Sequence, residues 1–181
     1  MPTRHLEIDQ LASGIQRCIE NARSLIEDAE LLYNHKRYPR AFSLAVLSIE
    51  ELGKIPMLVR AACFEEDDSD KWRDFWKKFT DHEYKYVRSF GPGILGLSSV
   101  PNEELLKIIR RHQKKKLRGF YVDFEAKLGK FQLPRAQFTE SDVKQIIDVA
   151  KSQLEKIKEL YGDIDNVKLL LKEIRDQPKI M

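Results

Sequence analysis

The stretch from Phe42 to Val59 most constrains the fold. Phe42, Leu44, Ala45, Val46, Leu47, Ile49, Leu52, Ile55, Met57, Leu58 and Val59 spread around most of a helix's circumference rather than along one stripe. A helix that is apolar on nearly every side has to be covered by neighbours, so this segment belongs at the centre of a bundle. Glu50-Glu51-Leu52-Gly53-Lys54 lies inside it. Glu51 falls on the same side as Leu44, Leu47, Ile55 and Leu58, which predicts a desolvated carboxylate, and Lys54 is one turn away to pair with it. Pro56 removes a helical hydrogen bond to Leu52 and predicts a bend beside these charges.

The remaining elements read as helices too. Ile8, Leu11, Ile15, Cys18, Ala22, Leu25, Ala29 and Leu32 give one buried stripe over about 6–34. The segment NHKRYP turns the chain into the central helix, which runs to about Phe64. A third helix over roughly 70–89 carries Trp72, Phe75, Trp76, Phe79, Tyr86 and Phe90. The Gly, Pro and Ser of SFGPGILGLSSVPN predict a loop, and a fourth helix follows to about Arg118. FYVDF at 120–124 reads as extended. Thr139 is an N-cap for a helix striped by Val143, Ile146, Ile147, Ala150, Leu154 and Ile157, which Gly162 ends before a short last helix. The eight Gly and seven Pro are too few and too clustered for a sandwich or barrel. The prediction is therefore an all-α bundle of about five to six helices in one domain, 1–181. Its parts are a four-helix core over about 6–120, a linker at 121–138 and C-terminal helices at 139–175.

The charge balance, 32 basic against 29 acidic residues, excludes bulk electrostatics as a sign of nucleic-acid binding. Cys18 and Cys63 lack zinc or disulfide spacing, no metal site or cofactor is indicated, and no apolar run is long enough to cross a membrane. A cytoplasmic protein is expected. Local signals carry more. His82 sits at helical spacing from Phe75, Phe79 and Tyr86, which places it beside the apolar face, with Lys85 close enough to tune it as a general base. His112, aligned with Leu105, Ile108 and Ile109, reads as part of a buried stripe. RRHQKKKLR at 110–118 packs Arg110, Arg111, Lys114, Lys115, Lys116 and Arg118 into little more than two turns, followed at once by Phe120 and Tyr121. Such a run offsets the dipole at a helix C-terminus, and with adjacent aromatics it can also hold RNA phosphates and stack bases.

Other chemistries are excluded by context. Gly91-Pro92-Gly93-Ile94-Leu95-Gly96 spells a dinucleotide fingerprint but follows a helix rather than a strand. No histidine has a glutamate three residues before it, as a di-iron bundle would need. No nucleophile elbow or P-loop is present.

Three segments in order, AFSLAVLSIEELGKIPML, DFWKKFTDHEYK and KKKLRGFYVDF, resemble the AbiV abortive-infection family of the HEPN superfamily over roughly 40–125. The matching positions are Glu50, Glu51, Lys54, His82, Lys85, Arg118, Tyr121, Val122 and Asp123. The resemblance implies a HEPN-like helical fold that commonly dimerises and a bacterial antiphage function exerted through metal-independent RNA cleavage or interference with translation, with a phage or host protein as an expected trigger. HEPN ribonucleases carry an arginine, then four to six residues, then a histidine, and none of the thirteen arginines here has that spacing. The superfamily's catalytic assignment therefore does not carry over. The expected catalytic set is His82, Glu51, Lys54 and Lys85, with Arg118, Lys116, Tyr121 and Asp123 meeting RNA and no metal. The competing expectation is a non-catalytic interaction module whose buried charges are structural.

Overall fold

Leu11, Ile15, Cys18, Ala22, Ile26 and Ala29 are buried as the inner stripe of α1 (Ile8–Asn34), which Glu7 and Gln10 open with a capping box. The computed structural model describes residues 4–90, 103–134 and 138–177. The 91–102 part of the loop expected at 89–102 and the 135–137 part of the linker lie outside them. The other helices are α2 (Tyr38–Leu52), α3 (Ile55–Ala61), α4 (Ser69–Thr80), α5 (His82–Phe90), α6 (Glu103–Arg118), α7 (Glu140–Tyr161) and α8 (Ile164–Asp176).

Helix α2 is the central element, packed against α1, α5, α6 and α7. Between Ala41 and Leu52 only Leu44, Leu47 and Glu51 keep partial exposure. Burial of side chains such as Phe42, Ile49 and Leu52 contributes about 1.5–3 kcal/mol each. The core extends beyond 6–120, because Val143, Ile147, Ala150 and Leu154 of α7 join the same apolar cluster. Thr139 caps α7 as its sequence predicts, accepting the Asp142 backbone N–H at 3.2 Å.

Two helices expected to be continuous are broken, which raises the helix count above five to six. At Gly53 and Lys54 the chain passes from α2 into α3, and Pro56 has no N–H for the Leu52 carbonyl, so the predicted bend is a full interruption. At Asp81 the backbone is extended, and its carboxylate accepts the Tyr84 N–H at 2.8 Å, starting α5 afresh. The extended structure expected at 120–124 begins only at Asp123. There β1 (Asp123–Glu125) pairs antiparallel with β2 (Lys130–Gln132), with Phe124 opposite Phe131. Among the described residues no helix is long and apolar enough to cross a membrane.

Candidate functional site

Three helices meet at Glu50, which is 1% exposed. Its Oε2 accepts from His82 Nδ1 of α5 at 2.6 Å. Its Oε1 accepts from Gln113 Nε2 at 2.8 Å and from Lys116 Nζ at 2.5 Å, both on α6. A buried carboxylate loses water on both oxygens, and here both are re-satisfied by donors from two other helices. An ionised carboxylate only accepts, so in the neutral ring of His82 the proton sits on Nδ1 and the lone pair on Nε2. The ring itself is 61% exposed.

The structure corrects several expectations here. Glu50, not Glu51, is the desolvated carboxylate. Glu51 shares a narrow, partly open stripe of α2 with Leu44 and Leu47, and it ion-pairs with Lys54 at 2.6 Å. Lys116, expected among the RNA-facing cations, is turned inward by its helical phase and is 5% exposed against Glu50. His82 lies at the rim rather than beside the apolar face. Gln113, which no reading of the sequence singled out, completes the Glu50 shell. A signal for it existed: Ser43, Val46, Glu50 and Gly53 form one stripe of α2 on which both Ser43 and Gly53 are small, as a closely approached face requires. A β-carbon at Gly53 would overlap the Lys85 carbonyl oxygen of α5.

Lys85 is buried, and burial followed by the nearby Lys54 pulls its ammonium below the ordinary lysine range, although Glu50 and Glu51 oppose this. Lys54 also lies 5.2 Å from the Phe79 ring centroid. Lys54, Glu50 and Glu51 thus act electrostatically on Lys85, Lys54 pairs with Glu51, and Glu50 anchors His82.

A second, part-buried pair lies on the α5–α6 contact. Tyr86 is fully buried, and burial keeps its hydroxyl protonated to well above the usual tyrosine range, so it donates to His112 Nδ1 across 2.7 Å. Burial, then Lys115 and Arg111, hold His112 below the usual histidine range. The fold therefore favours neutral His112 while the unfolded chain takes up a proton first. Its contribution to stability is complete above about pH 6.5, and it is lost as pH falls through the lower folded value. In urea titrations between pH 7.5 and 5, the midpoint of the wild type should fall more steeply than that of His112→Gln. Parallel slopes would show that His112 does not carry this dependence.

The basic run on α6 divides by helical phase. Lys116 faces Glu50. Lys115 bonds Asp142 at 2.8 Å, holding that carboxyl at about 2, and lies over both the Phe42 and the Phe138 ring. Arg110 pairs with Glu83 at 3.2 Å. Lys107, Arg111, Lys114 and Arg118 recur on one outer stripe and line an open groove of about 500 Å³. Arg118 does not join the Glu50 cluster; it pairs with Asp123 at 3.1 Å and ties α6 to the hairpin. Asp123 therefore neutralises a cation rather than meeting phosphate. Tyr121 is 66% exposed, and Phe120, Val122, Phe124 and Phe131 beside it are also exposed.

Comparison with curated proteins and with solved structures gives no match. Comparison with protein families does: HEPN_AbiV, the AbiV family, matches residues 10–155, a span that includes the whole Glu50 cluster, the α6 groove and the hairpin. With the all-α architecture in place around it, the chain belongs to the AbiV family of HEPN proteins, a family of abortive-infection defence.

Proposed function

We propose that the protein acts in antiphage defence by binding RNA and cleaving it without a metal. The single observation that carries this reading is the His82–Glu50 pair. A buried, fully bonded carboxylate fixes the ring through Nδ1, and the solvent-facing imidazole keeps its second nitrogen for a proton. In cleavage, Nε2 takes the proton of a 2′-hydroxyl, whose oxygen attacks the adjacent phosphate and expels the 5′-oxygen. Lys85 and Lys54 stabilise the charge that develops on phosphorus oxygens, and Glu51 orients Lys54. The outer stripe of α6, with Arg118 at its end, tracks the RNA backbone, and Tyr121 stacks on a base. A cytoplasmic setting, a second copy of the chain and a phage or host protein trigger belong to the same reading; the exposed apolar side chains of the hairpin give the last two a surface.

A second reading is favoured by Glu50 itself. Three donors saturate it, as a structural network requires, so the same charges also suit a non-catalytic module acting through a protein partner. Incubation of the purified protein with cellular RNA in the presence of a chelator separates the two. Cleavage is expected, and His82→Ala should lower its rate about 10²–10⁴-fold when compared at a temperature where the variant's melting curve shows it folded, because the variant also takes the donor from the buried Glu50 Oε2. Intact RNA, or His82→Ala cleaving like the wild type, would leave the interaction module as the function.

A further inference from the structure

The Tyr86–His112 pair leaves one group unused. The buried Tyr86 hydroxyl donates to Nδ1, so the neutral ring carries its own proton on Nε2, and this N–H has no acceptor among the described residues. The ring stands in the wall of a cleft of about 370 Å³ between α2, α6 and α7. That volume is within the range of small-molecule sites, about 300–1,000 Å³.

The lining selects a class of ligand. Phe42, Ile108, Ile146 and Val149 give it apolar walls, and Arg111, His112, Lys115, Asp142 and Gln145 give it polar groups. Lys115 and Asp142 bond each other at 2.8 Å and cancel in charge. Arg111 has no carboxylate partner among the described residues, so the cleft keeps one uncompensated positive charge beside a neutral N–H donor. A single guanidinium fork matches the two oxygens of one carboxylate, whereas a phosphate dianion would bring a second negative charge with nothing to meet it. The apolar walls in turn favour a body without further polar groups.

We propose that this cleft binds a small monocarboxylate with an apolar body, its oxygens on Arg111 and the His112 Nε2–H and its body against Ile108, Ile146 and Val149. The site is separate from the Glu50 cluster and does not depend on RNA cleavage. Arg111 also lines the outer groove of α6, so an occupied cleft takes one cation from that groove.

The test uses the full chain in isothermal titration calorimetry with octanoate, and with acetate and 1-octanol as the head group and the apolar body alone. Octanoate should bind about tenfold more tightly than either. Arg111→Gln should weaken it about tenfold, and Ile108→Asp, which sets a carboxylate one turn from Arg111 and removes an apolar wall, should abolish it. Both positions are exposed, so both variants keep the fold. The pH supplies a second readout. A carboxylate at Nε2 favours the protonated ring, as Asp142 of α7 does and as burial, Lys115 and Arg111 oppose, and the Tyr86 hydroxyl of α5 then accepts from Nδ1. Among the described residues α2 lines the cleft with Phe42 and no charged group. Octanoate should therefore bind more tightly at pH 6 than at pH 8 in the wild type, and equally at both in His112→Gln, whose amide keeps a donor and an acceptor. The proposal is overturned if octanoate binds no more tightly than acetate or 1-octanol, if Arg111→Gln or Ile108→Asp binds like the wild type, or if His112→Gln keeps the pH dependence.

Discussion

Glu50→Ala should cost about 3–5 kcal/mol of stability, because it leaves the Lys116 ammonium buried without its counter-charge. For a chain of this length that is a fall in melting temperature of roughly 6–20 °C. The loss comes less from the missing attraction than from a cation that cannot reach water. Replacing both partners separates these terms: Glu50→Leu with Lys116→Met puts apolar groups of similar reach where the pair was, and should recover most of the loss. The recovery stays incomplete because Gln113 and His82 also lose their acceptor. Chemical denaturation of the two single variants and the double variant forms the cycle that measures the coupling. A Glu50→Ala protein within about 1 kcal/mol of the wild type would show that water reaches Lys116, since such a value is ordinary for an exposed pair.

The same residue shows what could be read from sequence. That α2 is central follows from its all-round apolar surface, and the structure covers it with four helices. Which of two adjacent carboxylates is desolvated does not follow from that surface, because an apolar helix has no polar face to set its phase. Leu44 and Leu47 pointed to the side of Glu51, yet that side is the one left partly open. Small residues held the missing information: Gly53 and Ser43 mark the line along which other backbones come close, and Glu50 lies on it. A β-carbon at Gly119, just past α6, would likewise overlap Ser43 Oγ, and that hydroxyl donates to the Lys116 carbonyl at 2.8 Å. The division of the α6 cations into inward and outward sets was legible by phase, since Lys107, Arg111, Lys114 and Arg118 share one stripe. That Lys116 meets Glu50 was not, since it needs the phase of α2. Aromatic spacing gave one helix over 70–89, and Asp81, a capping residue inside that run, divides it.

The small residue beside this cluster is a second sensitive point. Gly53 adopts φ −67° and ψ −13°, which any residue accepts, so its value lies in the space it leaves. A methyl group there meets backbone, the Lys85 carbonyl, and backbone yields only if α5 moves away from α2. Gly53→Ala is therefore expected to cost about 3 kcal/mol, the upper part of the usual overpacking range. The gain of about 0.4–1 kcal/mol from a less flexible unfolded chain offsets little of this. The displacement also carries His82 and Lys85 away from Glu50, and a shift of about 1 Å in a reacting group can lower a rate about 10²-fold. Gly14→Ala supplies the control. Its new methyl would lie 3.3 Å from a Leu58 methyl, which can rotate aside, in the second turn of α1, where alanine is favoured over glycine by about 1 kcal/mol. Urea unfolding should therefore find Gly14→Ala close to the wild type or above it and Gly53→Ala far below. If Gly53→Ala is as mild as Gly14→Ala, α2 and α5 do not need so close an approach, and the alignment of His82 on Glu50 must be held by α6 instead.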